Sequence, residues 1–157
     1  MALINFFKKK TTSEGIPEEK KFPRGYLTSK EVELLNLLNL SIQGHLSESK
    51  IQGKLVAVGS AIYYLGTPEL DTYNDIDLKL LLMEPQNLNV DIFKLQLGMF
   101  CKSYELSLES YEFQQGHNFI LDGEGIKPLH LFYTPKESLE SFVNYVESEM
   151  VSDYRFI

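Results

Sequence analysis

The stretch from Leu55 to Met83, LVAVGSAIYYLGTPELDTYNDIDLKLLLM, decides the fold. An apolar run over residues 55–58 ends at Gly59 and Ser60, and a polar loop over 67–74 separates it from a second apolar run. A glycine directly after a buried strand permits a sharp turn, and short apolar runs bounded by turn residues are typical of strands. The pattern therefore predicts a strand, a tight turn, a short helix, a loop and a second strand.

The second predicted strand carries two acids and a lysine on one face. Side chains along a strand alternate between its faces, so Asp75, Asp77 and Lys79 point to one side and the intervening apolar residues point to the core. Carboxylates about 7 Å apart along a strand can converge on two metal ions, which lie about 3.5–4 Å apart in phosphoryl-transfer sites. We therefore predict a divalent-metal site at Asp75 and Asp77, with a solvated pair of acids as the alternative. Lys79 either contacts a phosphate or neutralises the acids.

The turn at Gly59 and Ser60 is a candidate phosphate site. Glycine lets a phosphate approach the backbone closely, and a helix that starts near Ser60 offers free N–H groups and the positive end of its dipole. Taken alone, the two residues are equally typical of an ordinary turn and helix cap. A phosphate at this turn and a metal at the aspartates would complement each other.

Together these residues resemble the DNA polymerase beta-type nucleotidyltransferase superfamily, especially its minimal members. The resemblance covers roughly residues 55–82: a Gly-Ser turn after a hydrophobic strand, a short helix, then Asp-x-Asp among apolar residues. It implies a nucleotidyltransferase-like fold, nucleotide phosphates held at Gly59 and Ser60, and Mg²⁺ bound by Asp75 and Asp77.

The third acid that members of this superfamily usually carry is not evident here. The later strand that fits best, Pro128 to Tyr133, has His130 at the corresponding place. A strand histidine is most often hydrogen-bonded and structural, but beside the aspartates it would serve as a base or a metal ligand near neutral pH. Asp122, at the end of the preceding apolar run, is the alternative third acid.

Composition limits the setting and the partners. With 157 residues and 43% hydrophobic content, the chain suits one compact domain. A net charge of -7 and only two arginines argue against broad binding to nucleic-acid backbones. The single cysteine, Cys101, predicts a reducing, cytoplasmic setting and a buried small hydrophobe, and the absence of any run of 18 apolar residues argues against a membrane span.

The remaining chain predicts a flexible arm over residues 1–25, open to a protein partner, and one domain over 26–157. Apolar periodicity and turn chemistry predict an α+β fold, a mixed β-sheet with helices packed on it. The predicted elements are a helix of roughly 17 residues capped by Thr28 and Glu31, a helix over Asp91–Lys102 that is apolar nearly all round, a strand from Tyr104 to Glu109, a hairpin of 119–121 with 129–133, and a closing helix capped at Thr134.

Three functions are compatible with this pattern. The first is a metal-dependent nucleotidyltransferase that moves a nucleotidyl group from an NTP to an acceptor hydroxyl. The second is a catalytically inactive binding module of the same fold that acts through a protein partner. The third is a structural α+β protein whose acids are solvated. Nucleotide binding separates the third from the others, and transfer of a label separates the first from the second.

Overall fold

A computed structural model describes residues 27–59, 75–151 and 154–157. Over these residues the protein is α+β, with a six-stranded mixed sheet and three α-helices, so the predicted fold class is confirmed. The helices are α1 (Ser29–Glu48), α2 (Val90–Ser103) and α3 (Leu139–Ser148), and the strands are β1 (Gly53–Val58), β2 (Ile76–Leu82), β3 (Ser107–Phe113), β4 (Gly116–Asp122), β5 (Leu129–Tyr133) and β6 (Tyr154–Phe156). The predicted arm over 1–25, Ser60 with the helix expected after it, and the loop over 67–74 lie outside the described residues.

The strands run in the order β3-β4-β5-β2-β1-β6. The β2–β5 pair is parallel, and the other neighbouring pairs are antiparallel. In the parallel pair Asp77 lies opposite His130, and in the adjacent antiparallel pair Val58 lies opposite Asp77. Residues opposite one another in register share a face of the sheet. The end of β1 and the starts of β2 and β5 therefore lie next to one another, with these side chains on one face.

The two faces of the sheet are covered differently. One face forms the main core with α1 and α2, and its fully buried members include Leu38, Ile42, Leu78, Leu80, Phe93, Phe119 and Leu131. On the other face α3 packs Phe142 and Val146 against Val56 and Leu81. Farther along this second face, on β3, Tyr111 is 45% exposed and Phe113 58% exposed. The side chains of the second face are therefore exposed at β3, which is the edge strand farthest from β1.

The predicted start of the first helix is confirmed. The Thr28 hydroxyl accepts a hydrogen bond from the Glu31 N–H at 3.1 Å, and the Glu31 carboxylate accepts one from the Thr28 N–H at 3.0 Å, which is a complete capping box. Glu31 is buried, and its second oxygen accepts the Lys127 N–H at 2.8 Å. The same carboxylate therefore caps α1, which runs for 20 residues, and fixes the loop that leads into β5.

The predicted start of the closing helix is wrong. Helix α3 begins at Leu139 with Ser138 as its cap, and Thr134 lies in the preceding turn. The Thr134 hydroxyl donates to the Gln115 carbonyl at 2.8 Å and accepts the Lys136 N–H at 3.1 Å. A tertiary contact to the β3–β4 turn thus occupies the side chain that the local pattern assigned to the helix.

The expected burial of the second helix is also only half right. In α2 the buried residues include Phe93, Leu97 and Cys101, whereas Ile92, Leu95 and Met99 are 51%, 69% and 65% exposed. A helix lying on one side of a sheet can bury only the stripe that faces it. Cys101 is a buried small hydrophobe, as expected, and its burial raises the pKa of the thiol to about 11.

The strands on the far side of the sheet differ partly from the alternation pattern. The hairpin formed by β4 and β5 is confirmed, but the strand expected from Tyr104 begins only at Ser107 and continues to Phe113. Tyr104 is instead the C-cap of α2, since its N–H still donates to the Phe100 carbonyl at 3.1 Å. The three-residue strand β6, which pairs with β1, was not expected. Within the described ranges, none of the helices combines the length and apolar character that a membrane crossing requires.

Replacing Glu31 tests whether this one carboxylate joins the helix cap to the β5 loop. We expect Glu31→Ala to lower the free energy of unfolding by about 1–3 kcal/mol, because it removes the capping box and leaves the Lys127 N–H without this acceptor. Urea denaturation measures the change. Glu33→Ala, at an exposed position of the same helix, is the control, with an expected change within about 0.5 kcal/mol. Equal effects of the two substitutions would contradict this account.

Candidate metal site

Three side chains with metal-ligating atoms meet where β2 and β5 begin. The Nδ1 atom of His130 lies 4.0 Å from Oδ2 of Asp75 and 3.8 Å from Oδ1 of Asp77. One ligand atom from each residue lies within 4.8 Å of the others. The parallel register places His130 opposite Asp77, and Asp75, two residues before Asp77, projects to the same side. The structure thus places His130 beside the aspartates, the arrangement under which it was expected to act as a base or a ligand.

The cluster is half-buried and carries concentrated negative charge. The side chains of Asp75, Asp77 and His130 are 39%, 41% and 26% exposed, so a small ligand can reach them. Burial raises the pKa of Asp77 above its ordinary value, and the neighbouring Asp75 carboxylate raises it further, while His130 opposes the shift. A cation placed between the carboxylates would relieve this repulsion.

Asn118 holds the imidazole of His130 from the other side. Its Oδ1 lies 3.1 Å from Nε2 of His130, and the Tyr111 hydroxyl lies 3.5 Å from the same nitrogen. Asn118 is only 5% exposed, and its Nδ2 has no hydrogen-bond partner within the part of the chain that the structure describes. Sequence reasoning missed Asn118. A polar residue next to the apolar run that begins at Phe119 was the available signal, but its meaning depends on the pairing of β4 with β5.

The turn after β1 lies against the aspartates. Gly59 has φ +67°, in the left-handed region that favours glycine, and a Cβ atom there would lie 3.4 Å from Oδ2 of Asp77. The turn at Gly59 therefore lies next to the Asp77 carboxylate, and its positive φ is the feature that favours glycine. Ser60, the second predicted phosphate contact, lies outside the described residues, and the phosphate role of this turn stays a prediction.

Two other candidate side chains have partners outside the cluster. The Lys79 ammonium lies 2.9 Å from a Glu137 carboxylate oxygen and 5.7 Å from the centre of the Phe142 ring. Asp122 is exposed at the end of β4, where its Oδ1 accepts the N–H of the adjacent Gly123 at 2.8 Å. Among the described residues, the metal-ligating group contains His130 and not Asp122. Of the two candidates for the third position, the structure brings His130 to the aspartates.

No protein-family model matches the chain, and none of the curated proteins is significantly similar to it. The resemblance to nucleotidyltransferases therefore rests on the residues themselves, and the function must be argued from the geometry of the site.

The raised pKa of Asp77 predicts a pH-dependent stability difference. The folded state binds this proton more tightly than the unfolded state, so stability falls as pH rises from the ordinary value of 3.8 through the raised pKa. In metal-free buffer we expect Asp77→Asn to unfold at a higher temperature than the wild type at neutral pH, and the difference to vanish below about pH 3.

Thermal unfolding followed by circular dichroism measures this difference. Glu48→Gln, at an exposed position at the end of α1, is the control and should change the unfolding temperature little at either pH. A difference between Asp77→Asn and the wild type that is the same at both pH values would contradict the assigned cause.

Proposed function

We propose that the protein is a metal-dependent nucleotidyltransferase that moves a nucleotidyl group from an NTP to an acceptor hydroxyl. The observation that carries this proposal is the meeting of Asp75, Asp77 and His130 beside the close backbone turn at Gly59. An α+β fold alone accommodates many activities. The support comes from a group of metal-ligating atoms beside a glycine turn, a feature that lets a phosphate approach the backbone.

The donor set fits a divalent cation. Asp75 and Asp77 offer carboxylate oxygens, the ligands that Mg²⁺ prefers, and both remain partly exposed. Burial and then repulsion from Asp75 raise the pKa of Asp77, and a bound cation would reduce that repulsion. A divalent ion held by Asp75 and Asp77 would polarise a phosphoryl oxygen and stabilise the charge that develops during transfer.

The other residues would position the reactants. The N–H groups of the turn that begins at Gly59 would receive the outer phosphates. Lys79, held by Glu137 on the same face of β2, would add positive charge near the nucleotide. The acceptor oxygen would form a bond to the α-phosphorus as the bond to pyrophosphate breaks. The hydroxyl proton would pass to a base, the role of His130 when Nδ1 is free of metal.

A second candidate is a nucleotide-binding module without turnover, acting through a protein partner at residues 1–25. It is favoured by one observation: a histidine, and not a third acid, completes the ligating group within the described ranges. In either case we propose a cytoplasmic protein, since a single buried cysteine suits a reducing compartment. The net charge of -7 favours a free nucleotide over a long nucleic acid.

Calorimetric titration of ATP, GTP, CTP and UTP with Mg²⁺ tests this proposal. We expect one or more nucleotides to bind the wild type, and EDTA or the double substitution Asp75→Asn/Asp77→Asn to weaken binding at least about tenfold. Asp122→Asn is the matched control, because this exposed acid lies outside the ligating group. Loss of binding in the control to the same degree would contradict the assigned site.

Labelled nucleotides then separate the two candidates. A nucleotidyltransferase passes an α-phosphate label, and not a γ-phosphate label, to a hydroxyl in a panel of protein, small-molecule and RNA acceptors. Binding without transfer would favour the binding module. No binding of any nucleotide to the folded wild type would contradict both candidates.

A further inference from the structure

We propose that Nδ1 of His130 is the third ligand of the metal centre, that Asn118 fixes the ring for this role, and that the resident ion is therefore Zn²⁺-like and not Mg²⁺. The proposal rests on the metal site that the proposed function uses. It differs from the Mg²⁺ that the sequence resemblance implies, and it leaves Mg²⁺ to accompany the phosphates of the nucleotide.

The first step is the orientation of the imidazole. An amide oxygen only accepts hydrogen bonds, so the 3.1 Å contact with Oδ1 of Asn118 requires a proton on Nε2 of His130. In the neutral imidazole, the form that binds a metal, this leaves a lone pair on Nδ1. That atom faces carboxylate oxygens at 3.8 and 4.0 Å. Lone pairs that converge in this way attract a cation.

The second step is the burial of Asn118. Its Nδ2 is buried and has no partner among the described residues, and an unsatisfied buried donor destabilises the fold. An apolar side chain of similar shape would avoid this cost but would not hold His130. Metal-ligating histidines usually donate their second N–H to a carboxylate, a carbonyl or a water. The Asn118 amide oxygen occupies that position, which makes Asn118 a positioning residue.

The third step is the match between ligand atoms and ion. Mg²⁺ favours oxygen ligands, whereas Zn²⁺ takes imidazole nitrogen and carboxylate oxygen together. An imidazole Nδ1 beside two carboxylate oxygens therefore matches Zn²⁺ better than Mg²⁺ by ligand type. Three protein ligands would leave one position for water or a phosphate oxygen.

Titration of the full chain, without an affinity tag, with Zn²⁺, Co²⁺ and Mg²⁺ alone tests this assignment. The wild type should bind Zn²⁺ at least about tenfold more tightly than Mg²⁺, and Co²⁺ should give the visible absorption of a site with a nitrogen ligand. We expect His130→Ala to abolish that absorption and Asn118→Leu to weaken Zn²⁺ binding about 10–100-fold while Mg²⁺ binding changes little. His117→Ala, on β4 but outside the ligating group, is the matched control and should bind as the wild type does.

Two further measurements keep the result interpretable if Asn118→Leu does not fold. Asn118→Asp retains an acceptor for the Nε2 proton and should bind Zn²⁺ within a few-fold of the wild type. Nitrogen-15 NMR of the wild-type histidines should show the proton of His130 on Nε2 and a shift of Nδ1 when Zn²⁺ is added. A proton on Nδ1 in the Zn²⁺-loaded protein, or unchanged Zn²⁺ affinity in His130→Ala, would overturn the proposal.

The outcomes separate this inference from the proposed function. Zn²⁺ bound through His130 without nucleotidyl transfer would support the metal centre and reject the transferase. Nucleotidyl transfer with Mg²⁺ by a wild type that does not bind Zn²⁺ more tightly than Mg²⁺ would support the transferase and reject the assigned ion. A folded wild type that binds none of the three ions would overturn the metal centre itself.

Discussion

The site depends on the parallel pairing of β2 with β5. This pair sets Asp77 opposite His130, and the antiparallel β1–β2 pair brings the turn at Gly59 to the same place. Leu129 and Leu131, on either side of His130 in the sequence, are buried in the main core. A slip of one residue in β5 would expose both leucines and turn His130 into the core. Packing on one face of the sheet therefore fixes the constellation on the other.

The sequence predicted what local patterns control. Alternation placed Asp75, Asp77 and Lys79 on one face of β2, and the capping box placed the start of α1 at Thr28. For His130 the sequence supported only a conditional prediction, that it acts at the site if its strand lies beside the aspartates. The pairing of two strands far apart in the chain leaves no local signal. Asn118 was beyond reach for the same reason, since its contact with His130 depends on two successive strand pairings.

The errors share a physical cause. Thr134 and Ser138 are both good helix caps by residue type, and a tertiary hydrogen bond to the Gln115 carbonyl decides between them. Helix α2 was predicted correctly as a helix, but its burial nearly all round was not. Its exposed apolar stripe shows that burial depends on which faces of a helix meet neighbouring elements. Strand β6 has three residues and is defined by its backbone pairing with β1, which residue type does not encode.

The aspartates of the site are not neutralised by the lysine that lies on the same face of the sheet. Lys79 shares a face with the aspartates, but its ammonium is bound by Glu137, so it does not neutralise either acid through a direct ion pair in the described structure. His130 opposes the raised pKa of Asp77 without cancelling it. The fold thus holds two half-exposed carboxylates close together, while the nearby Lys79 pairs with Glu137. Two neighbouring carboxylates repel each other, and a cation bound between them would relieve that repulsion, which supports the proposed metal site.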